Sequence, residues 1–172
     1  RAIGPALHDV ALALEPHAVV TDVGSTKMEV VRLAREELRE RFARFVPAHP
    51  IAGRESSGVE AATAELFRGA RVVITPEPET APEAIDAVRG CWEAAGARVT
   101  PLAAAVHDRI FAAVSHLPHI LSFALVSEIA SREDAAELFG FAAGGFRDFT
   151  RIAASSPEMW RDIALQNKAV LL

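Results

Sequence analysis

Strand-like and helical patterns alternate along the first hundred residues and then stop alternating at Pro101, and this change most constrains the fold. Apolar runs typical of strands occur at 18–23, 44–48, 71–75 and 97–100. Apolar side chains at helical spacing lie between or before them, at 2–14, 31–42, 58–67 and 82–95. The pattern predicts an α/β fold followed by an all-α region: a mostly parallel sheet with crossover helices, then a helical domain.

The helical part, from residue 101 onwards, is expected to contain one irregularity and one well-marked helix start. Residues 102–131 form a long apolar helical pattern that contains Pro118, and a proline removes a backbone hydrogen bond to the preceding turn, so we predict a kink there. A short amphipathic segment follows at 133–141. The sequence Ser155-Ser156-Pro157 then predicts the start of a final helix.

Composition excludes several classes of protein. The net charge of -5, with scattered Lys and Arg, gives no electrostatic reason to expect a nucleic acid partner. A single cysteine, Cys91, excludes an internal disulfide framework and any multi-thiolate metal site, and suits a reducing compartment. No apolar run approaches the roughly 20 residues that a membrane span requires. We therefore expect a cytoplasmic protein with no membrane partner.

Two polar clusters follow predicted strands, where ligands bind in open parallel sheets. The first is Asp22-Val23-Gly24-Ser25-Thr26-Lys27, in which Gly24 permits a tight turn and Ser25 or Thr26 can cap a helix. The amides that begin this helix favour an anion or a polar amide, although a simple capped turn explains the same residues. The second cluster begins with His49-Pro50, where the imidazole is suited to accept a proton during hydride removal or has only a structural role.

The helical part offers two further pairs. His116 and His119 stand at i and i+3, a spacing that metal ligands on one helix face also use, but no carboxylate or cysteine completes such a site, so no metal is expected. Asp148 and Arg151 share a face if their segment is helical, and an ordinary surface ion pair accounts for them equally well.

Four segments together resemble the prephenate and arogenate dehydrogenase family. DVGSTK, HPIAGRESSGVE, HDRIFAAVSHLPHIL and GFRDFTRIAASSPEMW occur in the order of that family and extend over most of the chain. The resemblance implies oxidative decarboxylation of prephenate to 4-hydroxyphenylpyruvate, with hydride transfer to NAD, in tyrosine biosynthesis. Arogenate as the substrate and NADP as the cofactor stay open, and His119 slightly favours prephenate.

The resemblance also implies roles for individual residues. His49 would accept the proton of the substrate hydroxyl, with Ser25 orienting His49 and the nicotinamide beside Asp22 and Gly24. Arg151 would bind a substrate carboxylate through two charge-assisted hydrogen bonds. The remaining substrate contacts implied by the family are His119, Asp148, Glu55 near the pocket entrance, and Trp160, although a Trp on an apolar helix is more often in a core.

One feature of the family is missing from the sequence. The glycine-rich fingerprint of a first Rossmann strand is absent. We therefore expect residues 1–100 to be a partial Rossmann-type nucleotide-binding domain, and residues 101–172 to be an incomplete helical domain for substrate binding and homodimerisation. A chain truncated at both ends is expected to have weak or no activity alone.

Two other readings compete with this one. A β-hydroxyacid dehydrogenase would share the layout but generally uses a lysine base, and the only lysines, Lys27 and Lys168, do not lie where the substrate is expected. A noncatalytic remnant that binds the ligand would keep the pocket without turnover.

Overall fold

The computed structural model describes residues 2–53 and 58–172, which divide into two compact units. The first unit contains residues 2–53 and 58–109, and the second contains residues 110–172. The described elements are sheets followed by a helical region, which confirms the predicted fold class. The two units are described separately below.

The first unit contains five short strands in two sheets. Strands β1 (Val20–Thr21) and β2 (Phe45–Val46) are parallel. Strand β4 (Arg71–Ile74) pairs in parallel with β5 (Arg98–Pro101) and antiparallel with β3 (Ala48–Ile51). The expectation of a mostly parallel sheet therefore holds for two of these three pairings.

Three helices of the first unit pack on its two apolar clusters. Helices α1 (Ile3–Ala13) and α2 (Met28–Leu38) contribute Leu7, Val30 and Ala34 to the first cluster. Helix α3 (Pro82–Ala94) contributes Ala84 and Val88 to the second, which also holds side chains of β2, β3 and β4. The helices at these places were predicted from the apolar spacing, because burial of one stripe is what that spacing permits.

The helix predicted at 58–67 is wrong. The structure has a short 3-10 segment at Val59–Ala61, followed by turns. Gly58 has a φ of 95°, in the region that favours glycine, and the Thr63 hydroxyl accepts a hydrogen bond from the Glu65 amide at 3.4 Å. Such local bonds compete with helical backbone bonds, and the exposed Val59 shows that no apolar stripe is buried here.

After β5, a π-helical turn separates two helices just before Pro118, where the sequence predicted a kink. Helix α4 (Ala104–Phe111) runs into a π-helical turn at Ala112–His116, which is followed by α5 (Leu117–Ala130). The structure has a π-helical turn directly before Pro118, and such turns are one cause of kinks, while the kink itself stays a prediction. The later elements are α6 (Ala135–Gly140), α7 (Gly144–Thr150), a 3-10 segment at Arg151–Ala154, α8 (Pro157–Gln166) and α9 (Lys168–Leu171).

One helical stretch is long and apolar enough to cross a membrane by length and composition alone. It runs over Ala104–Ala130, 27 residues, and 17% of its most apolar window is buried. The sequence-based expectation that no run approaches spanning length is wrong for this stretch. A single such helix is weak evidence for a membrane, and the exposed Val114, Leu117 and Leu121 equally suit contact with another protein surface.

Candidate active site

The turn after β1 is held by the Asp22 carboxylate. Its Oδ2 accepts the Gly24 amide at 2.7 Å, and its Oδ1 accepts the Ala48 amide at 3.1 Å. A Cβ on Gly24 would lie 2.9 Å from Asp22 Oδ2 and 3.1 Å from Ile3 Cδ1, so only glycine fits here. Asp22 thus fixes the turn that carries the half-buried Ser25, using both of its oxygens on groups of this chain.

Lys27 is completely buried beneath this turn. Its Nζ donates to Asp22 Oδ2 at 2.5 Å and to the Ala48 carbonyl at 2.6 Å. Burial lowers the pKa of Lys27, while the Asp22 carboxylate, through its charge and its hydrogen bond, opposes that shift. Ala48 immediately precedes His49 in β3. The Lys27 ammonium therefore links the polar cluster that begins at Asp22 with the one that begins at His49. No local pattern in the sequence indicates this role for Lys27.

His49 is the first member of a hydrogen-bonded chain of side chains. Its Nδ1 lies 2.8 Å from Nε2 of His107, and the two rings meet edge to face with centroids 5.0 Å apart. His107 is fully buried, and its Nδ1 lies 2.8 Å from Oδ1 of Asp108. The structure therefore places the predicted proton acceptor at the end of an Asp-His-His chain.

Asp108 also binds the beginning of α2. Its Oδ1 accepts the Lys27 amide at 2.8 Å and its Oδ2 accepts the Met28 amide at 2.9 Å. The N-cap position of α2 is Lys27, and not Ser25 or Thr26 as predicted. The helix therefore begins one or two residues later than expected. The amides at the start of α2 were expected to favour an anion or a polar amide, and the group that they bind is the Asp108 carboxylate of this chain.

Burial and hydrogen bonding act in opposite directions on Asp108. Burial raises the pKa of its carboxyl, whereas the hydrogen bonds from His107 and from the two backbone amides lower it, and the net pKa is below its ordinary value. The carboxylate is therefore ionised at neutral pH. A charged acceptor at 2% exposure is stabilised only because its donors are fixed in place.

A second group of predicted residues lies in the second unit. His119 stacks on Trp160, with ring centroids 3.5 Å apart and planes 16° from parallel. Its Nδ1 lies 2.9 Å from the Ser115 carbonyl, which can only accept, so this nitrogen carries the proton. Burial lowers the pKa of His119, the Ser115 hydrogen bond opposes this shift, and the positive charge of Arg151 lowers the pKa further. His119, Trp160 and Arg151 are thus brought together.

Two neighbours complete this group. Nδ1 of the buried His116 accepts the side-chain amide of the buried Asn167 at 3.1 Å, and the His116 ring meets Trp160 edge to face. The indole Nε1 of Trp160 is a buried donor with no hydrogen-bond acceptor among the described residues. Sequence reasoning missed Asn167, because a lone Asn near the end of a helix has no distinguishing signal.

The remaining predicted residues are placed less specifically. Arg151 begins the 3-10 segment after α7, and Asp148 is exposed on α7. Glu55, predicted at a pocket entrance, lies outside the described residues. No group of three or more His, Cys, Asp or Glu side chains that could hold a metal occurs in the described part of the chain.

An apolar surface groove of about 320 Å³ lies elsewhere in the first unit, along α3. Phe67, Val88, Cys91 and Trp92 are among the residues that line it. None of the predicted site residues contributes to it, so its size alone does not mark the place of the chemistry.

Known protein families match the chain over almost its whole length. The sequence model described as prephenate dehydrogenase, nucleotide-binding domain, matches residues 1–101, and the one described as prephenate dehydrogenase, dimerization domain, matches residues 103–172. Both models describe parts of one family.

Individual relatives agree with these matches. A prephenate dehydrogenase of Bacillus subtilis is 42% identical, over 92% of this chain and 43% of its own length. A cyclohexadienyl dehydrogenase of Zymomonas mobilis is 37% identical, over 100% of this chain and 59% of its own length. The chain therefore spans about half the length of the curated relatives it matches.

A solved structure extends the similarity to the fold. The crystal structure of prephenate dehydrogenase from A. aeolicus, in complex with hydroxyphenyl propionate and NAD+, superposes with a TM-score of 0.91 at 40% identity. The superposition covers 99% of this chain and 59% of that chain.

Proposed function

Since the chain belongs to the prephenate dehydrogenase family, we propose that the protein oxidatively decarboxylates prephenate to 4-hydroxyphenylpyruvate in tyrosine biosynthesis, with NAD as the hydride acceptor. The observation that carries the proposal is the position of His49: a half-buried imidazole at β3, bonded through Nδ1 to His107. An imidazole titrates near neutrality, so a histidine held in this way is suited to acid-base chemistry.

His49 acts on the substrate hydroxyl. The carbon-hydrogen bond at the hydroxyl-bearing carbon breaks with its electron pair leaving as hydride. The pair of the bond to the ring carboxylate enters the ring, so carbon dioxide departs and the ring becomes aromatic. His49 accepts the hydroxyl proton as hydride leaves and returns it to the phenolic oxygen, so that the proton is conserved.

Residues of the second unit bind the substrate. Arg151 holds a carboxylate, because a guanidinium can donate two parallel charge-assisted hydrogen bonds to that group. The stacked pair of His119 and Trp160 offers an aromatic surface and an indole donor that has no acceptor among the described residues. Asp148 and Glu55 remain proposed contributors to binding.

The turn after β1 would lie beside the nicotinamide. Ser25 is half-buried in that turn and supplies a hydroxyl, while Asp22 and Gly24 set the backbone beneath it. The polarity of these residues suits the nicotinamide amide, and the absence of a side chain on Gly24 keeps the turn tight. Bound NAD supplies the hydride acceptor, and the family relative whose structure contains NAD+ supports NAD over NADP.

The helical region supports assembly into a homodimer. Val114, Leu117 and Leu121 are 67%, 43% and 51% exposed on one helical stretch, and burial of such side chains against a second copy would be favourable. The matching family model is described as a dimerization domain. We propose a cytoplasmic dimer.

Arogenate is the second candidate substrate, and the hydrogen bond of His119 favours it, in contrast to the sequence-based expectation that His119 favours prephenate. Because Nδ1 of His119 donates to the Ser115 carbonyl, the neutral ring presents Nε2 as an acceptor. An acceptor suits the ammonium of an amino acid side chain better than a keto oxygen, which needs a donor.

The test is the rate of nicotinamide reduction with prephenate and then with arogenate, in the whole protein and in its His49→Asn variant. Loss of the base is expected to lower kcat by roughly 100- to 10,000-fold. The matched control is His17→Asn, since His17 is exposed and has no part in the proposed chemistry. A folded, cofactor-binding protein without turnover on either substrate would contradict the proposal and favour a ligand-binding remnant.

A further inference from the structure

The second histidine of the Asp-His-His chain has a fixed direction of hydrogen bonding. The Asp108 carboxylate is ionised and can only accept hydrogen bonds, so the bond between Asp108 Oδ1 and His107 Nδ1 requires the proton on His107 Nδ1. In a neutral imidazole, the other nitrogen is then an acceptor. With His107 neutral, its Nε2 receives the hydrogen bond at 2.8 Å from His49 Nδ1.

This direction determines the tautomer of His49. With its proton on Nδ1 and directed to His107, neutral His49 presents Nε2 as a proton acceptor. The opposite tautomer would carry a hydrogen on Nε2 and could not accept the hydroxyl proton of a substrate. Only one of the two tautomers of His49 is therefore competent for the proposed chemistry.

Asp108, the hydrogen-bond partner of His107, is itself held by the backbone at the start of α2. Side chains at i and i+1 of a helix do not face each other, yet His107 and Asp108 of α4 are hydrogen-bonded at 2.8 Å. Asp108 is held from outside by the Lys27 and Met28 amides, whose positions are set by α2. These donors hold the Asp108 carboxylate in one orientation. Because the carboxylate stays directed at His107 Nδ1, the proton of His107 stays on that nitrogen.

We propose that His107, oriented by Asp108, is a positioning residue that keeps His49 in the tautomer with the proton on Nδ1 and with Nε2 as the acceptor. The inference rests on the proposed function, in which His49 is the base. It assigns a role to two buried polar residues that touch neither the substrate nor the cofactor in that proposal.

The direct test reads the tautomers in the whole protein by NMR, with ¹⁵N-labelled histidine at neutral pH. The expected spectrum shows protons on Nδ1 of both His49 and His107. A proton on Nε2 of His49, or a doubly protonated His107, would overturn the inference. This measurement needs no substitution in either residue, so it stands even if a variant does not fold.

Kinetics of variants provide the second test. In His107→Phe the ring volume is kept but the acceptor for His49 is lost, and kcat is expected to fall by about 10- to 100-fold, within the total contribution of a positioned base. KM is expected to change by less than about twofold, because His107 makes no substrate contact. In His107→Gln the side-chain oxygen can accept from His49, and part of the lost rate is expected to return. His17→Phe is the matched control at an exposed histidine.

The two proposals fail in different ways. An inactive unsubstituted protein would contradict the proposed function whatever its tautomers are. Normal turnover together with unchanged kcat in His107→Phe would contradict the positioning role alone.

Discussion

At the scale of single residues, Lys27 shows how a charged side chain can be fully buried when its partners are fixed in place. Its ammonium is satisfied by Asp22 and by the Ala48 carbonyl, and Asp22 in turn binds two backbone amides. Lys27 is therefore part of the support for the turn and for β3. A lysine base, as in the β-hydroxyacid dehydrogenase reading, would need access that this position denies.

Removal of this ammonium is expected to destabilise the first unit. Lys27→Met keeps much of the side-chain length but leaves the Asp22 carboxylate, only 10% exposed, without its cation. Breaking a buried ion pair by removing one partner typically costs about 3–5 kcal/mol, so the free energy of unfolding should fall by about that amount. Chemical denaturation measures it, with the exposed Lys168→Met as the control. A loss below about 1 kcal/mol would show that the pair contributes little.

Sequence reasoning singled out individual residues of the candidate site but did not predict the hydrogen bonds between them. His49 and Ser25 follow predicted strands and were singled out on that ground, although the structure places His49 inside β3 and not after a strand. His119 and Trp160 were singled out by the family resemblance. The pairing of His49 with His107 joins positions 58 residues apart, and no local pattern reports such a contact. The same limit applies to Asp108 as the acceptor for the first amides of α2.

At the scale of elements, the clearest sequence signals were helix starts and apolar stripes. Helix α8 begins at Pro157 with Ser156 as its N-cap, as predicted from Ser155-Ser156-Pro157. The helix predicted at 58–67 was wrong because turn-forming contacts replaced a buried stripe. Propensity and spacing therefore predicted elements well where one face is buried, and poorly where the segment is exposed.

The Ser156 cap gives a prediction for α8, the helix that carries Trp160. The Ser156 hydroxyl accepts the Met159 amide at 3.3 Å. Ser156→Ala removes that acceptor and is expected to lower the free energy of unfolding by about 1 kcal/mol, as is typical of N-caps. The neighbouring Ser155→Ala serves as the control in the same denaturation experiment. Equal stability of the two variants would mean that the cap contributes nothing.

At the scale of the whole molecule, stability is expected to decrease as the pH falls below neutrality. The pKa of His119 is lowered in the folded state, first by burial, and the pKa of Asp108 is also lowered. Both groups thus bind fewer protons when folded than when unfolded. The contribution of His119 is present above its ordinary pKa of about 6.5 and is lost as the pH falls through the folded pKa. That of Asp108 is lost in the same manner below about 3.9.

The His119 part of this dependence can be isolated by substitution. The free energy of unfolding, measured between about pH 7 and pH 5, should decrease less in His119→Asn than in the unsubstituted protein. His17→Asn, at an exposed position, is the comparison variant. Parallel curves for all three proteins would contradict a lowered pKa of His119.

The capping of α2 by Asp108 has a consequence for the order of folding. The two hydrogen bonds span 81 and 80 residues of chain, so α2 forms its final contacts only after a long loop has closed. Because Asp108 also orients His107, the competent form of His49 arises in the same late event. Because contacts of such long range form only after a large loss of chain entropy, we expect the chain to acquire its proposed chemistry late in folding.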